Sequence, residues 1–204
     1  MSAPIFERLR NHCHRRNYPA KAVIVHRDTP SDRLFLLLEG SVSVVQDDEN
    51  GRELVMTYLN PGDIFGEVGL FIDQATRSAW IRARSPCVVG EISYRRFQRL
   101  FKADPSLLPP VVKQLALRLY QTNQRARELA FEDVRGRVFA VLLELANQPD
   151  AVSHAEGTQI KTTRIELGRL VGCSREMAGR VLQDLQTEEL IDMQGKTILV
   201  HAAR

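Results

Sequence analysis

The chain has 204 residues, 44% of them apolar, and a net charge of +3. That is enough apolar surface for two small cores and excludes a disordered chain. No run of about 18 apolar residues is present, which excludes a membrane-spanning helix. Cys13, Cys87 and Cys173 are odd in number and far apart, so they form neither a disulfide framework nor a CxxC metal site. Met1 to Glu7 lacks the basic-then-apolar pattern of a secretion signal, and the expected compartment is the cytoplasm.

From about Tyr18 to Ile92 the sequence predicts many short strands. Ala22 to His26, Leu34 to Leu38 and Ser41 to Val45 are apolar or alternating, with turn residues between them. Asn50-Gly51 before Leu54-Val55-Met56 predicts a hairpin, because both residues tolerate positive φ. Pro61-Gly62-Asp63 is another turn, Ser78 to Ala83 alternates again, and Val88 to Ile92 closes the set. Strands this short and regular point to a barrel or sandwich.

Within this region lies the loop Gly66-Glu67-Val68-Gly69, followed by Arg77-Ser78-Ala79. Glycines around a carboxylate present free backbone amides that suit an anionic oxygen. Arg77 offers a planar fork for phosphate, and Glu67 can accept from a sugar hydroxyl. Taken alone, the same residues also fit a salt bridge closing a barrel corner.

The periodicity then changes. Val112, Leu115, Leu119, Thr122, Ala126 and Leu129 step by alternating threes and fours, a heptad seam on a long helix. Such a seam serves either a coiled-coil dimer or packing on the chain's own barrel. Phe131-Glu132-Asp133 marks a boundary. A helix from Val134 to Asn147 follows it, then the turn-rich stretch from Gln148 to Gly157. Two short helices and a hairpin (Leu190 to Met193, Thr197 to His201) end the chain. Helix, helix, helix, hairpin is the order of a winged helix-turn-helix.

Thr163-Arg164-Ile165-Glu166 is a capping box, and Ser174 can cap the helix after Gly172-Cys173. At about 100° per residue, Glu176, Gly179 and Arg180 share a face with Arg175. Met177, Ala178, Val181, Leu182 and Leu185 fall opposite. The first face suits a major groove, since Arg forks onto guanine and Glu accepts from cytosine, while Thr163, Arg164 and Ser174 sit where phosphate contacts set register. An ordinary amphipathic helix with a charged solvent face has the same pattern. Lys161 to Arg180 carries five basic residues against Glu166 and Glu176, a local basic stripe.

In order and spacing, the barrel, Gly66-Glu67…Arg77-Ser78-Ala79, the heptad helix and Val171-Gly172-Cys173-Ser174-Arg175-Glu176 resemble the cyclic-AMP receptor branch of the CRP/FNR superfamily. The resemblance implies an α+β chain: a cyclic-nucleotide-binding β-barrel or jelly roll over 1–105, a dimerisation helix and hinge over 106–133, and a winged helix-turn-helix over 134–204. Gly66, Glu67, Val68, Arg77 and Ser78 would then hold the ribose and cyclic phosphate. Arg118 would support Glu67, and Thr122 would contact adenine. Asn123 stands where the family usually has Ser or Thr reaching the partner subunit's nucleotide. The implied effector is cyclic AMP, with cyclic di-GMP the main alternative and cyclic GMP another.

Arg175, Glu176 and Arg180 would read bases, with Gly179 allowing close approach. Met177 stands where a hydroxyl often touches phosphate. The implied partners are a palindromic double-stranded DNA site, a second copy of the chain, and RNA polymerase. Polymerase would be met through the loop Ala151 to Gln159 and a basic patch of His14, Arg16 and Arg96. No membrane partner and no enzymatic activity are expected: the five histidines are scattered, unlike the clustered ligands of a metal barrel. Three scattered cysteines cannot supply a four-Cys cluster. The expected mechanism is a population shift in which nucleotide extends the coiled coil and turns the winged domains about Phe131 to Asp133.

Overall fold

Five consecutive apolar residues, Leu34 to Leu38, set the layering of the N-terminal half. Side chains alternate across a strand, so an unbroken apolar run demands a core on each face. The structure, a computed structural model, describes residues 3–72 and 76–201, and in it this run is strand β3 (Arg33–Glu39). Phe35 and Leu37 enter one cluster with Val42, Leu59, Phe65, Ile81 and Val89. Leu34 and Leu36 enter another with Leu9, Ile64, Phe97 and Val111.

Helix α1 (Ala3–Asn11), β1 (His14–Tyr18) and β2 (Val23–Val25) precede β3. After it come β4 (Val42–Asp47), β5 (Glu53–Leu59), β6 (Ile64–Phe65), the single-turn helix α2 (Val68–Phe71), β7 (Trp80–Ala83) and β8 (Cys87–Ser93). These strands make two four-stranded sheets, ordered β1-β8-β3-β6 and β2-β7-β4-β5, with every pairing antiparallel. The first cluster draws on both sheets, and the second lies between the outer face of the first sheet and the helices. This is the sandwich that the short regular strands predict.

The hairpin at Asn50-Gly51 joins β4 and β5, but only Gly51 uses positive φ. An aspartate organises the turn instead: Asp48 Oδ1 accepts from the amides of Asn50 and Arg52, each at 2.9 Å.

The chain departs from the expected pattern at several points. Strand pairing begins at His14, ahead of Tyr18, and residues beyond Ile92 form helix α3 (Tyr94–Ala103), capped by Ser93. After a 3₁₀ turn (Pro105–Leu107), helix α4 spans Leu108–Phe131. Pro109 and Pro110 lie in its first turn, where a helix has no partner for the missing N–H groups. The seam residues divide: Leu115 packs on the second cluster, whereas Val112, Leu119 and Leu129 are 51%, 63% and 54% exposed. Packing on the chain's own core therefore accounts for only part of the seam.

The chain forms two compact units, Met1–Thr122 and Asn123–Arg204. The second contains α5 (Val134–Ala146), β9 (Val152–His154), β10 (Gly157–Lys161), α6 (Arg164–Val171), α7 (Arg175–Thr187), β11 (Ile191–Gln194) and β12 (Thr197–His201). Asp133 caps α5 by accepting from the Gly136 amide at 2.7 Å, so this helix starts at Val134, as expected, whereas the division into units falls earlier, between Thr122 and Asn123. The stretch from Gln148 to Gly157, expected as turn, holds a strand. β9 and β10 form a hairpin that completes a four-stranded sheet, ordered β11-β12-β10-β9. Three helices packed beside a sheet with a terminal hairpin make the winged arrangement. Residues 1–2, 73–75 and 202–204 lie outside the described residues, including Met1-Ser2 of the leader reading and the outer limits of the expected first and last domains.

Candidate functional site

Each unit holds one of the two predicted constellations. In the first, a cavity of about 160 Å³ is lined by the apolar Val44, Leu59 and Ile81 and by Gly66, Glu67, Val68, Arg77, Ser78 and Arg118. Sequence-distant residues meet here because the connection from β6 to α2 carries Gly66 and Glu67, α2 begins at Val68, the segment before β7 carries Arg77 and Ser78, and α4 carries Arg118.

Arg77 is 7% exposed. Its Nη1 donates to the Gly66 carbonyl at 3.0 Å and to the Tyr94 hydroxyl at 3.2 Å, and its Nη2 donates to the Arg33 carbonyl at 2.8 Å. The guanidinium carbon lies 5.3 Å from the centroid of the Phe35 ring, which itself stacks on Phe65. All these short partners are neutral. The ion pair with Asp32 is long, 3.9 Å, and the Asp32 side chain is 66% exposed. A buried cation held mainly by carbonyl and hydroxyl oxygens is undercompensated in charge and suits an anion.

Gly66 makes the approach feasible. Its φ is +77°, and a Cβ there would sit 2.7 Å from Arg77 Nη1 and 2.9 Å from the Phe35 ring. Only glycine satisfies both the backbone angle and the space.

Glu67 is 8% exposed and pairs with Arg118 at 3.1 Å, so the expected support of the glutamate by the helix arginine is a direct contact. Arg118 Nη2 also donates to the Ile64 carbonyl at 2.5 Å. One turn earlier on α4, Gln114 makes a feature the sequence reading missed. Its Oε1 accepts from the Ile64 amide at 3.1 Å, while its Nε2 donates to Asp63 at 2.9 Å and to the Ile64 carbonyl at 3.2 Å. Two side chains thus fasten α4 to the segment leading into the Gly66-Glu67 loop. Thr122, one turn beyond Arg118, is exposed and does not line the cavity; Asn123 is exposed at the start of the second unit.

In the second unit, Thr163 caps α6 by accepting from the Glu166 amide at 3.1 Å. The Glu166 carboxylate meets the Thr162 hydroxyl at 3.5 Å. α6 ends in the left-handed Gly172, and Ser174 caps α7 by accepting from the Met177 amide at 3.1 Å. In the turn between them, burial pushes the Cys173 thiol above its ordinary pKa. Ala178, Val181, Leu182 and Leu185 are buried, against exposed Arg175, Glu176 and Arg180, as the angular pattern predicts.

Gly179 departs from that pattern, being buried although its angle places it with Arg175, Glu176 and Arg180. The Arg164 side chain lies over it, and a Cβ at 179 would fall 3.3 Å from Arg164 Cδ. The room that this glycine leaves is occupied by an arginine of the chain itself. Arg164, Arg175, Gln183 and Lys196 border a surface concavity of about 600 Å³ between α6, α7 and the β11–β12 turn. Gln183 and Lys196 were absent from the sequence-based set; Lys196 sits in the turn, far from the helix pattern that located the others.

His14, Arg16 and Arg96 are exposed on β1 and α3. The segment from Ala151 to Gln159, expected as a loop, is mostly the β9–β10 hairpin. Among the described residues no group of three or more His, Cys, Asp or Glu is placed to hold a metal ion, and no helix is long and apolar enough to cross a membrane.

Residues 15–104 match the cyclic nucleotide-binding domain family, and residues 136–204 match the Crp-like helix-turn-helix domain family. The cAMP-activated global transcriptional regulator CRP of Pasteurella multocida is 46% identical over 201 residues, covering 98% of this chain and 96% of that protein. The cAMP-activated global transcriptional regulator Vfr of Pseudomonas aeruginosa is 47% identical, covering 97% and 94%. The solved structure of CLP, a c-di-GMP responsive global regulator of Xanthomonas campestris, has a TM-score of 0.91 at 42% identity over 99% of this chain and 100% of that one. With a cyclic nucleotide-binding domain, a DNA-binding helix-turn-helix and this degree of identity along its length, the chain belongs to the CRP/FNR family of transcription regulators.

Proposed function

We propose that the protein is a cAMP-activated transcription regulator that binds a palindromic DNA site as a homodimer in the cytoplasm and catalyses no reaction. The observation that carries this reading is the pairing of a buried, undercompensated Arg77 with Glu67 around one cavity. A cyclic phosphate supplies the charge that Arg77 lacks, aided by Ser78 and the backbone from Gly66 to Val68, and a ribose hydroxyl donates to Glu67. Arg118 carries the loop's position to α4. Thr122 and Asn123 lie further along α4 and contact the base when two copies associate through Val112, Leu119 and Leu129, the seam residues left exposed.

In this reading 1–105 senses, 106–133 dimerises and hinges, and 134–204 binds DNA. Arg175, Glu176 and Arg180 read bases, Thr163, Arg164 and Ser174 hold phosphates, and Gly179 acts through the arginine it accommodates. His14, Arg16, Arg96 and the β9–β10 hairpin face RNA polymerase. Effector binding shifts the population towards the DNA-competent state, for which a preference of a few kcal/mol suffices.

A second reading keeps the fold and replaces the effector by cyclic di-GMP; it is favoured by the likeness to the Xanthomonas campestris regulator. Calorimetric titration of the purified protein with cyclic AMP, cyclic GMP and cyclic di-GMP separates the readings. Gel shift of a palindromic duplex with and without the bound effector completes the test. Cyclic AMP should bind, Arg77→Leu should abolish that binding, and DNA affinity should rise with cyclic AMP. Equal DNA affinity with and without any of the three nucleotides would refute effector control.

A further inference from the structure

Tyr94 lies outside the loop and helix that define the effector pocket, yet its hydroxyl is placed at the centre of the Arg77 network. It is the first residue of α3, next to the Ser93 cap, and its amide donates to the Asp32 carbonyl at 3.0 Å. Its Oη lies 2.5 Å from the Gly66 carbonyl, 3.2 Å from Arg77 Nη1 and 2.8 Å from Ser31 Oγ. A phenol has one proton and two lone pairs. The carbonyl can only accept and the guanidinium can only donate. The phenolic proton therefore goes to Gly66, one lone pair takes Arg77, and Ser31 must donate to the other. The hydroxyl is fully used, and each bond fixes the direction of the next.

Arg77 Nη1 is thereby held between two oxygens, the Gly66 carbonyl and the Tyr94 hydroxyl, which are themselves bonded to each other. The Tyr94 ring centroid is 5.9 Å from the guanidinium carbon, and Phe35 approaches at 5.3 Å. Without the hydroxyl, Nη1 would keep one acceptor, and the guanidinium could turn about its Cζ–Nε bond at lower cost.

We propose that Tyr94 is the positioning residue of the pocket: its hydroxyl fixes the plane of the Arg77 guanidinium and the Gly66 carbonyl so that the remaining arginine N–H groups meet an anionic ligand in register. The role rests on the effector reading above, and it also places the start of α3 in the ligand's hydrogen-bond network. Because Tyr94 packs on the cluster shared by Phe97, Val111 and Leu115, the anion site is joined to the first turns of α4 by a route separate from Glu67–Arg118.

The test uses Tyr94→Phe in the full chain, which keeps the ring and removes only the hydroxyl. Nitrogen NMR of the arginine side chains reports rotation of the Arg77 guanidinium without any ligand. Loss of one hydrogen bond should speed that rotation about fivefold, with the Trp80 fluorescence of the fold unchanged. Cyclic AMP affinity should fall about fivefold in the same variant. In an Arg77→Lys background, Tyr94→Phe should cost less than about twofold, since the two residues act as a unit. Unchanged rotation overturns the proposal whatever the protein binds, and so do equal affinity losses in the two backgrounds. Failure of the unaltered protein to bind any cyclic nucleotide would instead overturn the effector reading, while the rotation measurement still decides the positioning of Arg77.

Discussion

Replacing Arg118 by Met tests whether α4 is held to the Gly66-Glu67 loop by charge. The substitution keeps the aliphatic stem and removes two interactions: the 3.1 Å pair with Glu67 and the bond to the Ile64 carbonyl. The Glu67 and Arg118 side chains are 11% and 22% exposed, so solvent screens the pair only weakly. Leaving one member of a buried pair unpartnered costs about 3–5 kcal/mol. Access from the cavity lets water reach Glu67, which brings the expected loss down to about 2–3 kcal/mol. The chain has one tryptophan, Trp80 on β7, so urea unfolding followed by its fluorescence reports on the first unit alone. Adding Glu67→Met to Arg118→Met removes the stranded charge and should restore stability to within about 1 kcal/mol of the unaltered protein, because an apolar pair can replace a buried ionic one. An Arg118→Met loss under about 0.5 kcal/mol, or a double variant that loses the sum of the singles, would refute the reasoning.

Arg175→Ala should weaken binding to the specific duplex by about 1–3 kcal/mol and relax preference at one base pair; an equal loss on random-sequence DNA would make it a phosphate contact only. Ser174→Ala should cost about 1 kcal/mol of stability in the second unit through the lost Met177 amide bond, measured by thermal melting of helical circular dichroism, and Ser174→Asn should recover most of it. Burial, with help from Glu91, pushes the Tyr18 phenol up to about 12. Its neutral form is therefore favoured by folding, a contribution present in full below the ordinary value of 10.0 and lost as pH rises through about 12. Spectroscopic titration should show a late tyrosinate step that is lost in Tyr18→Phe; an unchanged late step in that variant would contradict it.

How much was legible in the sequence follows from how local each signal is. Caps and turns were legible because a single side chain and its nearest amides decide them: Thr163 and Ser174 cap their helices where residue type alone places them. The alternation of β3 was visible as an apolar run, yet its meaning needed the two cores on either side. Helix α3 was missed because its apolar positions, Phe97 and Leu100, sit among Arg95, Arg96, Arg99 and Lys102, which masks the periodicity. The angle places Gly179 on the face of Arg175 and Arg180; only the path of Arg164, which arrives from another helix, shows what fills that space. Gln114 and Tyr94 escaped for the same reason, since their partners at Ile64 and Gly66 are 50 and 28 residues away. The β9 strand was hidden by Pro149, Asp150 and His154, and pairing with β10 across the Ala155-Glu156 turn supplies what propensity does not.

The Gln114 amide has a consequence beyond holding a helix. β6 ends the order of its sheet, and Gln114 both takes the Ile64 N–H and gives to the Ile64 C=O, as a neighbouring strand would. A helical side chain thus blunts a raw sheet border that would otherwise offer its backbone to foreign chains. Any change that lifts α4 from this border should make the protein stickier, so poor solubility would accompany loss of signalling, two symptoms of a single detachment.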